Sequence, residues 1–482
     1  MKSSKIPIAI AHGDGIGPEI MGAVLHVLAE AGAPIEPHEI EIGEKVYLKG
    51  MLTGIEPSSW DTIRRCKAFL KAPITTPQGG GFKSLNVTIR TTLGLYANVR
   101  PCVAYAPFVS TKHPKMDVVI VRENEEDLYT GIEYRQSPEV CSSIKLISRP
   151  GSEKIIRYAF EYARHHNRKK VTCFTKDNIM KISDGLFHKI FDEIAHLYPD
   201  IQNEHWIVDI GAAKLADTPE AFDVIVMPNL YGDILSDVAA QISGSVGLAG
   251  SANIGELGAM FEAIHGSAPR RAGQNMANPS GLLLASVLML LHLEETEVAE
   301  RIHNAWLTAI EDGIHTYDIF KEGVSKEKVG TREFGVAVAK LLGKKPKILT
   351  PVSYAQSKKF ATLPAPTAHP YVAQELVGID VYVTAPVTAE HFIGVASTKN
   401  WGPLTLQMIT NRGVRVWPGG HPETFCVDQW RLRFMHKDKK TGVSQADIFK
   451  MMQEVVSIGY PIISTFNLYR FDGVAGYSSA DG

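Results

Sequence analysis

Asp233 and Asp237 stand four residues apart in Asn229-Leu230-Tyr231-Gly232-Asp233-Ile234-Leu235-Ser236-Asp237. On a helix that spacing turns both carboxylates to one face, where like charges repel by about a few tenths of a kcal/mol. A divalent cation reverses the penalty, and all-oxygen ligands suit Mg²⁺ or Mn²⁺. Helix capping on a solvated face is the alternative reading of the same spacing. Earlier in the chain, Thr75-Thr76-Pro77-Gln78-Gly79-Gly80-Gly81-Phe82-Lys83-Ser84-Leu85-Asn86 leads on to Arg90. Three successive glycines let backbone amides approach a ligand. Asn86 and Arg90 fall one helical turn apart, with Ser84 just ahead of them. Arg100 and Arg122 add guanidinium groups, each able to grip a carboxylate in two places. Arginines beside a Gly-rich loop and an acidic pair point to a polycarboxylate held with a metal.

Gly13-Asp14-Gly15-Ile16-Gly17-Pro18 invites a dinucleotide-loop reading, but Pro18 occupies the place of the last glycine in G-x-G-x-x-G. These glycines read as a turn.

The elements that must position such groups alternate along the chain. A strand at Ile6–Ala11 runs into the glycine turn, and Pro18 suits the first turn of a helix ending near Glu30. Strand-like runs recur at 68–71, 118–122, 171–174, 205–208 and 224–227, with helical stretches at 153–165 and 185–197. This favours α/β layers around a largely parallel sheet. Composition breaks at Gly343-Lys344-Lys345-Pro346-Lys347, and a Pro-rich stretch continues to Pro370. Beyond it, strands are predicted at 376–384, 414–418, 429–435 and 461–468, with helices at 403–411 and 445–457. Two β-α-β units in series make a small ferredoxin-like α+β domain, with no clustered acid, histidine or glycine motif to carry catalysis.

With 482 residues the chain needs two or three domains, and 45% hydrophobic with 21% charged residues describes a soluble globular protein. Lys plus Arg is 50 and Asp plus Glu is 52, a net charge of −2 that argues against nucleic acid or an anionic membrane as the main partner. The five cysteines (Cys66, Cys102, Cys141, Cys173, Cys426) are scattered and form no C-x-x-C pair, which favours a reducing compartment. The N-terminus lacks a signal-like apolar segment, and the longest apolar run, 281–293, is shorter than the ~20 residues a membrane span needs. A cytoplasmic location is expected.

Five segments lie in one order: Lys83-Ser84-Leu85-Asn86-Val87; Arg122-Glu123-Asn124-Glu125-Glu126-Asp127-Leu128-Tyr129; Lys176-Asp177-Asn178; Asn229 to Asp237; and His265-Gly266-Ser267-Ala268-Pro269. Together they resemble the β-decarboxylating dehydrogenase family of isocitrate and isopropylmalate dehydrogenases over about residues 5–340. The tail resembles the extra C-terminal domain of some bacterial isocitrate dehydrogenases. The resemblance implies a non-Rossmann α/β fold with a large cofactor-binding domain (1–95 and 244–342) and a small domain with clasp and dimer interface (96–243). A linker (343–370) and the α+β domain (371–482) follow. It also implies a homodimer, or a higher oligomer, whose active sites are shared between subunits.

Carried over residue by residue, Arg90, Arg100 and Arg122 bind substrate carboxylates with Asn178 nearby. Ser84 and Asn86 meet the carboxylate that sets isocitrate apart, where an isopropylmalate enzyme would offer apolar side chains. Asp233 and Asp237, with Asp209 of the other subunit, hold Mg²⁺ or Mn²⁺. Lys176 of the other subunit assists removal of the hydroxyl proton, a role that requires the adjacent cation and burial to lower its pKa. Tyr129 protonates the carbon that loses CO₂. The cofactor lies along Glu262, His265, Gly266, Arg270, Arg271 and Asn278, with Thr76 near the nicotinamide. NAD-dependent members carry an acidic residue after His-Gly-Ser-Ala-Pro. Arg270 and Arg271 in its place, with Tyr317 and Lys321 further on, imply NADP. The expected reaction is metal-dependent oxidative decarboxylation of isocitrate to 2-oxoglutarate and CO₂, a tricarboxylic acid cycle step. A sister enzyme acting on isopropylmalate, homoisocitrate or tartrate is the near rival. A non-catalytic subunit would be expected to lose part of the Arg90, Tyr129, Lys176, Asp233 and Asp237 set, and every member is present.

Overall fold

The computed structural model describes residues 5–75, 84–355, 371–402, 404–438 and 441–479. They form two compact units, one from Met1–Tyr129, Leu146–Ile179 and Ser183–Pro366, the other from Thr130–Lys145, Met180–Ile182 and Thr367–Gly482.

In chain order the strands of the first unit are β1 (Ile6–Ala11), β2 (Ile35–Glu39), β3 (Ala68–Lys71), β4 (Ala97–Val103) and β5 (Asp117–Glu123). A hairpin of the second unit follows, β6 (Glu133–Arg135) and β7 (Cys141–Ser143). The first unit then resumes with β8 (Lys170–Thr175), β9 (Gln202–Ile207), β10 (Val224–Met227), β11 (Gly250–Ile254) and β12 (Ala259–Ala263), and a short pair β13 (Ile314–His315) and β14 (Glu327–Lys328). Ten of these make one sheet in the order β2-β1-β3-β12-β11-β4-β5-β10-β8-β9. Two parallel blocks, β2-β1-β3-β12 and β5-β10-β8-β9, run in opposite directions and are joined through β11 and β4, whose ladders are all antiparallel. The expected largely parallel sheet is present, with a reversal of strand direction at its centre.

Near-continuous apolar runs such as Val224–Met227 suit strands covered on both faces. One apolar core gathers under helices Gly17–Glu30, Ser280–His292, Thr296–Glu311 and Thr331–Lys340. Another lies under Arg149–His165 and Ser183–Ala195. The longest apolar run is the buried helix Ser280–His292, and no helix among the described residues is long and apolar enough to cross a membrane. Part of the Pro-rich stretch is tied down: the Glu311 carboxylate accepts the amides of Lys347, Ile348 and Leu349, and Val352 and Tyr354 donate to Asn304 and Glu300.

The second unit's strands are β15 (Gln374–Thr384), β16 (Leu404–Asn411), β17 (Val414–Trp417), β18 (Gln429–His436), β19 (Ile462–Phe471) and β20 (Val474–Ala475), with helices Ala389–Ser397 and Gln445–Val456. The sheet order β17-β16-β18-β15-β19-β20, all antiparallel, contains the doubled β-α-β arrangement expected of a ferredoxin-like domain. The expected helix at 403–411 is instead strand β16, and the helix lies earlier, at Ala389–Ser397. Leu404-Thr405-Leu406 alternates with period two, buried then half-buried, a strand signal that outweighs the lack of breakers in that run. The β6–β7 hairpin belongs to this unit: Ser137 Oγ donates to Asp428 Oδ1 at 2.5 Å, and the Asp428 amide donates to Glu139 at 2.9 Å.

Candidate active site

The turn Gly13–Gly17 does what its glycines require. Gly13 and Gly15 have φ of +66° and +59°, and a side chain on Gly15 would collide with the Ser267 carbonyl. The Asp14 carboxylate accepts the amides of Thr75 and Glu44, and Ile16 donates to the Ser267 carbonyl at 2.9 Å. The glycine turn thus carries the start of the Gly-rich loop and the His265–Pro269 segment. Thr76 and Lys83 lie outside the described residues.

Helix Leu85–Thr92 presents Asn86 and Arg90 one turn apart, with Ser84 at its N-terminus making no capping bond. Arg90 reaches Glu262 at 2.9 Å, and Lys71 reaches the other oxygen of the same carboxylate at 2.7 Å. All three are buried, Lys71 being only 1% exposed. Burial opposes ionisation of Glu262, but the two cations overcome it and hold the carboxyl well below the usual range. A chain of buried amides continues across the sheet. Asn253 donates to Glu262, Asn98 donates to Asn253, and Arg100 Nε donates to Asn98. Two arginines on separate elements are thereby fixed by one network. Within this cluster, Asn86 Oδ1 and Arg90 Nε are buried without a hydrogen-bond partner. Such orphaned atoms are uncommon in native proteins and fit a site shaped for a polar ligand.

Across the sheet, helix Asn229–Ser243 follows β10 and carries both aspartates on one face, as their spacing predicts. Arg122 on β5 donates through Nε and Nη2 to Asn229 Oδ1 at 2.9 and 2.7 Å, and through Nη1 to Asp233. Arg100 donates to Ser236 at 2.5 Å and lies 3.5 Å from Asp233 and 3.6 Å from Asp237. Tyr129 donates its hydroxyl to Asp233 Oδ2, its ring 4.8 Å from the Arg122 guanidinium. Burial, then neighbouring Arg100 and Arg90, pulls Arg122 below its ordinary pKa. Asp233 is half-buried, and burial opposes its charge, but Arg122 and Arg100 outweigh that and hold it low. Burial raises Asp237, with the Asp233 charge adding to the rise against Arg100. Burial also raises the Tyr129 phenol, which keeps its proton.

Lys176 and Asp209 pair at 2.8 Å in the same chain, and Asn178 is exposed beside them. Among the described residues Asp209 does not come within ligand distance of Asp233 and Asp237. In the segment expected to hold the cofactor, His265 Nε2 has no partner, and burial pushes the imidazole below its usual pKa. Gly266 has open space where a Cβ would stand. Asn278 donates to Asp318, which also accepts from Ser245 and Thr316. Next to Asp318, Tyr317 accepts a hydrogen bond from Arg271, whose guanidinium lies 4.7 Å over its ring. Arg270 is exposed, and Lys321 approaches Ser110 at 3.4 Å.

Several positioning residues escape a reading of the sequence. Lys71 carries a signal, as a lysine ending an apolar strand, and Asn98 and Asn253 sit in strands where amides are rare. Asp184, which accepts the Lys176 amide at 2.7 Å and the Tyr231 hydroxyl at 3.1 Å, carries none.

The pattern of the isocitrate/isopropylmalate dehydrogenase family matches residues 7–338, and that of the bacterial isocitrate dehydrogenase C-terminal domain matches 374–482. An isocitrate dehydrogenase [NADP] of Rickettsia bellii is 54% identical over 478 residues, covering 99% of both chains. One of Thermus thermophilus is 40% identical over 490 residues, covering 98% of this chain and 95% of its own. A crystal structure of a Thermus thermophilus protein, 40% identical, superposes with a TM-score of 0.91 over 98% of this chain and 95% of that one. The two relatives match through the arginine network and on into the second sheet, and the chain belongs to the isocitrate/isopropylmalate dehydrogenase family.

Proposed function

We propose that the chain oxidises and decarboxylates isocitrate to 2-oxoglutarate and CO₂ with NADP as hydride acceptor. The observation that carries this is the buried set of Arg90, Arg100 and Arg122 with the unpartnered Asn86 Oδ1. Three guanidinium groups answer a tricarboxylate. Ser84 and Asn86 offer polar groups where an isopropyl substrate would leave them unpaired, a loss of about 1–3 kcal/mol for each buried group.

Asp233 and Asp237 fit Mg²⁺ or Mn²⁺, because both donors are carboxylate oxygens and a cation relieves the burial and repulsion that raise Asp237. When bound, the ion supplies Lewis acidity toward the substrate's hydroxyl and adjacent carboxylate. Asp209 sits with Lys176 rather than with the aspartate pair, so we assign Asp209, Lys176 and Asn178 to the site of a second copy, giving a homodimer with shared sites. Lys176 assists removal of the hydroxyl proton. Tyr129, its phenol protonated against Asp233, donates a proton to the carbon that has lost CO₂. Glu262 sets the angle of Arg90 from behind, and Thr76 is assigned to the nicotinamide end. His265, Gly266 and Asn278 hold the adenosine end, and Arg270, Arg271, Tyr317 and Lys321 face the 2′-phosphate. In this reading 1–95 with 244–342 is the cofactor-binding domain, 96–243 the small domain with clasp, and the cytoplasm the place of action.

Initial rates with NADP and NAD, each against isocitrate, isopropylmalate and homoisocitrate in Mg²⁺, test the proposal. Isocitrate with NADP gives the highest kcat/KM. Faster turnover of isopropylmalate or homoisocitrate overturns the substrate, and NAD equal to or better than NADP overturns the cofactor.

A further inference from the structure

Three side chains outside this site gather at the edge of the large sheet. Strand β9 closes that edge and, among the described residues, pairs only with β8, with Cys173 facing His205 and Thr175 facing Ile207. Asp177 lies just past β8, His188 on helix Ser183–Ala195, and His205 on β9 itself. The two imidazoles stack 3.5 Å apart and 16° from parallel. Asp177 Oδ2 meets His188 Nδ1 at 2.6 Å, and the Thr175 hydroxyl meets His205 Nε2 at 2.8 Å. One ligand atom from each of Asp177, His188 and His205 lies within 4.8 Å of the others, the one such trio of His, Cys, Asp or Glu among the described residues. All three are part-exposed, so solvent ions reach them.

We propose that Asp177, His188 and His205 bind one divalent transition-metal ion of the zinc, cobalt or nickel class. Two nitrogens and one carboxylate are the donor set such ions take, with water completing the shell, whereas Mg²⁺ prefers oxygen alone. Metal–ligand bonds of about 2.0–2.1 Å set tetrahedral ligand atoms roughly 3.3 Å apart. The Asp177–His188 pair reaches that by opening from its 2.6 Å hydrogen bond as the ion replaces the shared proton, and the two stacked rings by splaying until their in-plane lone pairs converge on the ion. Burial, then His188, keeps His205 below its ordinary pKa, so its ring is neutral and has a lone pair to give. The Thr175 hydroxyl holds that ring in place, as outer partners of metal-bound imidazoles do. Asp192, 3.7 Å from His188 Nε2, adds a negative charge beside the site. The ion ties a helix, a strand exit and the edge strand together, so it acts as a brace rather than in turnover.

The test is a Co²⁺ titration of the full-length protein with saturating Mg²⁺ and isocitrate, which fill the carboxylate pair first. Visible absorbance and the thermal midpoint are read in wild type and in His188→Gln/His205→Asn. Wild type takes up one Co²⁺ per chain more than the variant and gains about 2 °C or more in midpoint. The variant keeps wild-type turnover in Mg²⁺. Equal Co²⁺ uptake by the two proteins, or an unmoved wild-type midpoint, overturns the proposal. Should the double variant fold poorly, Asp177→Asn decides: it weakens Co²⁺ binding at least tenfold, and unchanged binding is fatal. Because wild type and variant share Asp233 and Asp237, failure here leaves the isocitrate reading untouched.

Discussion

Glu262 neutralises two cations at once, which makes it the most sensitive single side chain of the buried network. Glu262→Gln leaves Lys71 and Arg90 buried and undercompensated, a loss of about 3–5 kcal/mol. Its folded pKa is depressed, so the stability it contributes is present above the ordinary glutamate value of about 4.3. That stability drains as pH falls through the lower folded value. The wild-type thermal midpoint therefore falls more steeply below about pH 4.3 than that of Glu262→Gln. Parallel midpoint curves would refute this. Arg271 is the second residue with a clear reading, because its stacking on Tyr317 pre-places a cation where NAD-dependent relatives are expected to carry an acid. Charge-assisted hydrogen bonds are worth ~1.5–3 kcal/mol each. Arg270→Asp/Arg271→Ile is expected to lower kcat/KM for NADP about a hundredfold or more while activity with NAD holds or rises. Undiminished NADP kinetics would remove the arginines from the phosphate site.

Helix Asn229–Ser243 is the element on which the site turns, and Gly232 lets it approach β5. A Cβ there would stand 2.5 Å from Arg122 Cγ and 2.7 Å from its Cβ. Gly232→Ala must push the helix outward or turn Arg122 away, a strain of about 1–3 kcal/mol. Asp233, Asp237 and Ser236 move with it, so kcat falls more than the thermal midpoint alone explains. Full activity with an unchanged midpoint would show that the contact is slack. The same elements show what is legible in the sequence. The Asp233/Asp237 and Asn86/Arg90 pairs are legible because helical spacing is a local property. The union of Lys71, Arg90 and Glu262 is not, because it depends on β3 pairing with β12, which no local pattern specifies. At 403–411 the deciding signal is local: the period-two alternation of Leu404, Thr405 and Leu406 is visible in the sequence and prevails over the expected helix.

At the scale of the molecule, strands β15 to β20 form one six-stranded sheet, and the separate hairpin 133–143 belongs to the same unit. Ending the chain near Pro366 removes Asp428, to which Ser137 and Glu139 are bonded. The truncated protein is expected to show an altered sedimentation profile or a lower thermal midpoint, with residual turnover, since the arginine network lies wholly in the first unit. Identical sedimentation and midpoint would mean that the tail serves neither assembly nor stability.

The Ser137–Asp428 bond also imposes a timetable on synthesis. Its partners are 291 residues apart, and a ribosome adding about 5–20 residues per second takes roughly 15–60 s to cover that distance. For that interval the hairpin has left the tunnel without the sheet that holds it, its Cys141 and strand edges open to chaperones or to other nascent chains. The first unit has a wait of the same order within it, since helix Gly17–Glu30 packs against helix Thr331–Lys340, but by the time Asp428 is added that unit is already made, and the hairpin is then the part still held open.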